Sequence, residues 1–259
     1  MNKKLMLLVL VFVLAGTFAV AQDAASIVER SRNRIQAETV SSRSRMIITA
    51  RGGAVSELVL DQYSKKDAQG NKRAIIVFQG GVASVRGTRF LSIENPGRGN
   101  DQWIFSPSLG RVRRIAGSEG SSSFVGTDFS YDDIASMDRN AGLDTHRILR
   151  EERFEGKDCY VIESTPKDSG YQYSKMIQWL EKDKFLIHKI ELYDRRGSQV
   201  KLLEILEYRE VQGRQATFIT KMTTLAAGTS TSLNVDRLEY DTAIPESVFT
   251  PRFLETGRP

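Results

Sequence analysis

Two histidines, one cysteine and a loose group of acids are what this 259-residue sequence offers for chemistry, and their spacing serves none. His146 stands in a stretch read as a polar helix and His188 in the middle of a strand. Neither has a second His or Cys at metal-ligand spacing. Ser118 lies in Ala116-Gly117-Ser118-Glu119-Gly120, one residue off the G-x-S-x-G elbow. That elbow exposes its serine on a strained turn that leads into a helix, whereas Ser121-Ser122-Ser123 follows here. Asp128, Asp132, Asp133 and Asp138 are crowded, but they lack the alternation and the distal glutamate of a calcium loop; capping a helix start explains them more simply. Cys159 has no partner for an internal disulfide, and Asp158-Cys159-Tyr160-Val161-Ile162 reads as a strand with a small buried thiol. No glycine-rich phosphate loop is present. The expectation is a non-enzymatic protein with no metal and no cofactor.

What remains is aromatic. Between residues 103 and 134, Trp103 and Phe105 alternate with polar neighbours, Pro107 and Gly110 mark a turn, and Arg111, Arg113 and Arg114 follow on a second short strand. A Gly/Ser run over 117–126 comes next. Phe124 and Phe129 bracket Gly126-Thr127, and 131–134 starts a helix with acids in its first turn. Aromatics, a polar link and a capped helix in series read as a cover over something apolar. In that reading Trp103 and Phe105 form cavity wall, Phe124, Phe129 and Ile134 form the underside of the lid, and 117–123 is its hinge. Arg113 is the candidate latch, reaching helix C-terminal carbonyls.

The elements that would position these residues are mostly strands. An amphipathic helix is expected over 23–40, from Ala24, Ile27, Val28, Ser31 and Ile35. The pattern then changes to period two, giving strands at 44–50, 55–64, 73–79, 88–93 and 102–105. After helical stretches at 131–137 and 144–154, strands resume at 159–164, 174–181, 185–193, 199–211, 215–225 and 231–241. Short turns join them, as in antiparallel hairpins. The fold class is therefore mainly β, one large curved antiparallel sheet with a few short helices. Leu202-Leu203 with Ile205-Leu206, and Met176-Ile177 with Trp179-Leu180, put large apolar groups on both faces of their strands. The available covers are the first helix, the 131–154 region and the 245–254 segment. These are too little to fill the concavity, so an apolar groove for lipid is expected, with Ile177 and Trp179 added to its wall.

Lys3 and Lys4 precede an apolar run over 5–13, and Ala19-Val20-Ala21 is a small-x-small cleavage pattern. Residues 1–21 thus read as a signal peptide and 22–259 as a single domain. Gln22 rather than Cys follows the cut, which leaves no thiol for acylation and implies a soluble periplasmic protein. Loss of Lys3 and Lys4 lowers the formal charge from +5 to +3. Export removes nucleic-acid partners, and a mild positive charge suits anionic membrane surfaces or acidic partners.

WIFSPSLGRVRRI, followed by FVGTDFSYDDI, resembles the central signature of the LolA-like outer-membrane lipoprotein-sorting family. GKDCYVIE and the strand carrying Trp179 are similar to the segments that follow it there. The resemblance implies a half-open β-barrel with helices across its concave face, holding lipoprotein acyl chains. It also implies an inner-membrane transporter as donor, an outer-membrane acceptor and only transient membrane contact. A latch arginine on an early strand belongs to the same pattern, and Arg113 is its candidate here. Family members also occur near export pumps, so the cargo stays open. The alternative is an exported binding module that docks a protein partner through its sheet or loops around a packed interior.

Overall fold

Connectivity builds the sheet from its centre outward. In the computed structural model, which describes residues 23–135 and 139–258, the strands β1 (Thr39–Thr49), β2 (Val55–Lys66), β3 (Lys72–Gly80), β4 (Arg89–Asn95), β5 (Arg98–Ser106) and β6 (Arg111–Arg114) form an antiparallel meander that ends at one edge. The chain reappears at the opposite edge as β7 (Asp144–Phe154). It returns through β8 (Lys157–Pro166), β9 (Lys175–Glu181), β10 (Ile187–Tyr193), β11 (Gln199–Val211) and β12 (Arg214–Thr224) to β13 (Thr229–Tyr240), which pairs with β1. All thirteen strands thus form one curved sheet whose edges, β6 and β7, do not meet. The link between β6 and β7 must therefore cross the sheet from edge to edge. The leader expected over 1–21, and Met137 and Asp138, lie outside the described residues.

Alternation of side chains sets the two faces. Ile76, Phe78, Phe90, Ile104 and Met222 point to the concave face, while Ile75, Leu91, Trp103 and Phe105 point to the convex one. Register shifts bend individual strands; the one between Ile205 and Glu207 leaves Leu206 unpaired and exposed. At the turn after β3, Gly81 has φ +108°, and a Cβ there would lie 2.4 Å from the Glu57 carbonyl oxygen, so only glycine lets the two chains approach so closely.

Three short helices flank the sheet. Asp23 caps α1 (Ala24–Arg32), which lays Ala24 and Ile27 on Ile162 and Leu180 at one end of the concave face. It stops well short of the expected residue 40, because Asn33 closes it and Ile35 and Ala37 pack on the cluster of Ala216, Phe218 and Tyr240 instead. The second helix, α2 (Tyr131–Ala135), lies in the crossing link. The third, α3 (Pro251–Thr256), is begun by Thr250 and closed by Gly257. With Val248 and Phe249 before it, α3 buries Phe253 and Leu254 on Ile75, Leu91, Trp103 and Phe105. This segment was expected on the concave side; the structure corrects it to the convex side.

Residues 144–154 also correct the sequence reading. Expected as helical, they form the edge strand β7, paired with β8 over its whole length. Ile148, Leu149 and Phe154 look helically spaced, but a register shift between Ile148 and Arg150 turns Leu149 and Phe154 toward Cys159, Val161 and Trp179, away from Ile148.

Candidate functional site

The crossing link leaves the sheet at Ile115, whose N–H donates to the Gln102 carbonyl at 2.9 Å. A 3-10 turn follows over Gly117–Glu119. The Glu119 carboxylate accepts from the Ala116 N–H at 3.0 Å and from Arg113 Nη1 at 2.9 Å, and these contacts hold its pKa below the ordinary glutamate value. The chain then doubles back in a tight hairpin. Ser123 bridges to Ser130, Phe124 N–H donates to the Phe129 carbonyl at 2.8 Å, and the Thr127 hydroxyl donates to the Phe124 carbonyl at 2.8 Å. Phe124 and Phe129 are fully buried; Phe124 meets Phe90 and Tyr131 edge-on at 5.1 and 5.4 Å. The stretch expected as a hinge is thus a hydrogen-bonded turn. Arg113 anchors the base of the link through Glu119, and among the described residues its hydrogen bonds go to that carboxylate and to no helix C-terminal carbonyl, which corrects its expected latch role.

Two aspartates fix this lid to the far half of the sheet. The Asp128 carboxylate accepts from the hydroxyls of Thr229 and Thr231 on β13, at 2.5 and 2.7 Å. Asp133 forms a capping box with Ser130: the Ser130 N–H donates to its carboxylate at 2.8 Å, and the Ser130 hydroxyl accepts the Asp133 N–H at 3.0 Å. The same carboxylate takes Lys201 Nζ of β11 at 2.9 Å and the Tyr173 hydroxyl at 2.9 Å. Burial and this neighbour push the Tyr173 phenol strongly upward. Between the two anchors, Asp132 points down beside Gln102, which donates to it at 3.1 Å, and desolvation raises its pKa. The helix cap was legible in the sequence. The threonines and Lys201 were not: Thr231 lies 103 residues beyond Asp128, and Lys201 lies 68 beyond Asp133.

Under the lid lies a cavity of about 1330 Å³, above the roughly 300–1,000 Å³ of drug-sized pockets. Its floor is apolar: Met176, Ile190, Leu203, Phe218, Met222 and Leu233 come from five neighbouring strands, β9 to β13. Its mouth is polar, framed by ion pairs of Arg32 with Glu94 at 2.7 Å and Arg139 with Asp144 at 2.8 Å. Of the residues expected there, Phe129 and Ile134 line the cavity, and Phe124 is packed between lid and sheet without lining it. The other four are placed elsewhere, a correction to the expected wall. Trp103 and Phe105 sit on the convex face beneath α3. Ile177 and Trp179 also face outward, with Cys159 and Val161, and Lys189 Nζ lies 3.5 Å from the Trp179 ring centroid. Period two explains this, since Gln102 and Ile104, and Met176 and Gln178, take the inward positions on the same strands.

The groups considered for chemistry are dispersed. His146 lies on β7, with Nδ1 2.8 Å from the Ser164 hydroxyl and Nε2 2.9 Å from the Ala141 carbonyl; the carbonyl can only accept, so Nε2 carries the hydrogen. His188 Nε2 is 2.9 Å from Glu181. Ser118 is exposed on the 3-10 turn, and neither histidine is bonded to it. Cys159 is fully buried, and desolvation raises its thiol pKa. Among the described residues, no group of three or more His, Cys, Asp or Glu side chains could hold a metal ion.

An unclosed sheet with a lidded concave cavity can be compared with known proteins. A family model described as an uncharacterized protein matches residues 70–256. A candidate outer membrane lipoprotein-sorting protein domain from Vibrio parahaemolyticus superposes with a TM-score of 0.84 at 27% identity, over 90% of this chain and 98% of its own. The chain belongs to the LolA-like family. A DUF1329 family protein from Desulfovibrio piger matches this LolA-like chain with a TM-score of 0.84 at 28% identity, over 89% of this chain and 97% of its own. A LolA superfamily protein from Nitrosomonas europaea shares the LolA-like fold with a TM-score of 0.71 at 23% identity, covering 90% of this chain and 100% of its own. Among curated proteins none matches.

Proposed function

We propose that this LolA-like protein is an exported, non-enzymatic periplasmic carrier. It holds the acyl chains of lipoproteins, or of other lipids, in the lidded cavity and passes them from the inner to the outer membrane. The observation that carries this reading is the apolar floor of Met176, Ile190, Leu203, Phe218, Met222 and Leu233, left unfilled beneath a lid that buries its own aromatics. Each methylene taken from water there contributes about 0.8 kcal/mol. The polar mouth leaves a headgroup or peptide in water, so only the chains need enter. Residues 1–21 act as the export signal and the remainder as one domain. Phe129 and Ile134 contact the cargo from above, and a donor transporter and an acceptor follow from the family likeness.

Titration with a fluorescent fatty acid, and mass spectrometry of gently purified protein, test the reading. Saturable binding of one or more chains, lost in Leu203→Asp with the circular dichroism spectrum retained, is the expected result. Absence of bound or bindable lipid in the native protein, or unchanged affinity in Leu203→Asp, overturns it.

A further inference from the structure

The strand order brings five hairpin turns, and the longer β8–β9 connection, to one end of the sheet. The pairings Thr49↔Val55, Val59↔Gly80, Arg89↔Phe105, Lys201↔Thr224 and Thr49↔Ser230 put the β1–β2, β3–β4, β5–β6, β10–β11 and β12–β13 turns along the same rim. Adjacent strands lie about 4.8 Å apart, so successive turns project about 10 Å apart. Among the described residues the exposed large apolar side chains are Val55, Val82, Leu109, Leu225 and Leu206. The first four stand on these turns or next to them; Leu206 is the residue ejected by the bulge in β11.

The same turns carry exposed Arg51, Arg86, Arg111, Arg195 and Arg196. Stretches 50–54, 81–88, 106–110 and 225–228 contain no acid; the Asp194 carboxylate is occupied by the N–H groups of Arg196 and Ser198 at 2.9 Å each, and Asp168 of the β8–β9 connection, the other acid at this end, accepts the Gly170 N–H at 2.7 Å. The opposite rim differs: its turns are of mixed charge, holding Asp67, Glu155 and Asp183 beside Lys182 and Lys184, and none of the exposed large apolar residues. Single apolar side chains separated by about a strand pair form no groove for a peptide or helix. A second copy would set arginines against arginines. A plane of phosphates over hydrocarbon satisfies both features, because guanidinium groups bind phosphate oxygens in pairs while short apolar tips enter the interface.

We propose that this rim is a peripheral docking surface for an anionic phospholipid bilayer. None of its nine side chains lines the cavity, so docking and chain binding are separable. Each arginine near such a surface contributes about a fivefold gain in partitioning at moderate salt, from roughly 1 kcal/mol per charge.

Sedimentation of the purified protein with vesicles of phosphatidylglycerol and phosphatidylcholine, against vesicles of phosphatidylcholine alone, reads this directly. Binding to the anionic vesicles that weakens with salt is expected. It should fall about 30-fold in Arg86→Gln/Arg196→Gln, by the same figure applied twice, and also fall in Val82→Ser/Leu109→Ser, with fatty-acid affinity unchanged in both. All four positions are exposed, so folding is retained and circular dichroism checks it. No binding to anionic vesicles at low salt, or equal binding by native protein and both variants, overturns the proposal. So does a dimer in solution that the same substitutions dissociate, which would assign the rim to a second copy.

Discussion

The hydroxyl of Thr231 and the main chain and side chain of Asp128 form a closed pair: the hydroxyl accepts the Asp128 N–H at 2.9 Å and donates to the Asp128 carboxylate at 2.7 Å. Both residues are buried, and 103 positions of sequence separate them. The lid is therefore pinned to the strand that closes the sheet onto β1, and its opening requires breaking contacts to both ends of the same residue.

Thr231→Val removes the hydroxyl with little change of shape and leaves a buried N–H and a buried carboxylate oxygen unpaired. A loss of about 1–3 kcal/mol is expected from such orphaned groups. Urea unfolding should show it, and stopped-flow release of a fluorescent fatty acid should be faster than in the native protein. Unchanged stability would mean that water replaces the hydroxyl.

Gly120 takes ordinary right-handed backbone angles, φ −55° and ψ −34°. Its need for glycine is one of space. A Cβ there would lie 2.3 Å from Asp132 Oδ2, so Gly120→Ala must displace a carboxylate that Gln102 also holds. Overpacking of this kind costs about 1–3 kcal/mol. In an Asp132→Ala background the same substitution should cost nothing, or add the few tenths of a kcal/mol that a stiffer unfolded chain provides. A cost equal in both backgrounds, measured by denaturant unfolding, would show that the crowding is not with Asp132.

The Asp132 carboxyl has a folded-state pKa above the ordinary aspartate value because burial outweighs the Gln102 hydrogen bond. The folded protein thus binds its proton more tightly than the unfolded chain does. The resulting stabilisation is fully present below the unfolded value of about 3.9 and is lost as pH rises through the folded one. At neutral pH the carboxylate is a cost. Gln102 Oε1 is buried with no partner, and the amide introduced by Asp132→Asn supplies an N–H beside it. Thermal unfolding should therefore show Asp132→Asn more stable than the native protein at pH 7, with the gap narrowing as acid is added. A gap that widens on acidification would reverse the assignment.

Strand positions were largely legible, because alternation survives wherever one face is apolar and the other is not. Faces were harder. Trp103 and Phe105 were assigned to the right strand but to the wrong side of it, since Gln102 and Ile104 occupy the inward positions and nothing local says that α3 will cover the outward ones. Trp179 was misplaced for the same reason; its outer cover is the Lys189 side chain rather than a helix. Phe129 and Ile134 were readable as cavity contacts because the lid has one side to offer. The floor residues Leu203, Met222 and Leu233 belong to strands with apolar groups on both faces or nearly so, and only the strand order, with β13 returned to β1, brings them under the lid.

An arginine does reach helix C-terminal carbonyls in this protein, and it is Arg89. From the convex side of β4 it donates to the carbonyls of Leu254 at 2.5 Å and Glu255 at 3.1 Å while lying 4.3 Å from the centre of the Phe105 ring. Burial lowers its pKa below the usual guanidinium value, yet it stays charged at any physiological pH and complements the negative end of α3. Arg89→Ala removes both hydrogen bonds and the stacking, so a loss of about 1–3 kcal/mol is expected. The loss should be local. Hydrogen exchange over 250–257 should quicken, because Arg89 fixes the C-terminal end of α3 while the segment before it keeps its own anchors, Lys65 and Arg73 on Glu246; exchange in the lid over 117–134 and the affinity for fatty acid should stay as in the native protein. Accelerated exchange in the lid as well would show that the two faces are coupled through β4, where Phe90 meets Phe124 one residue from Arg89.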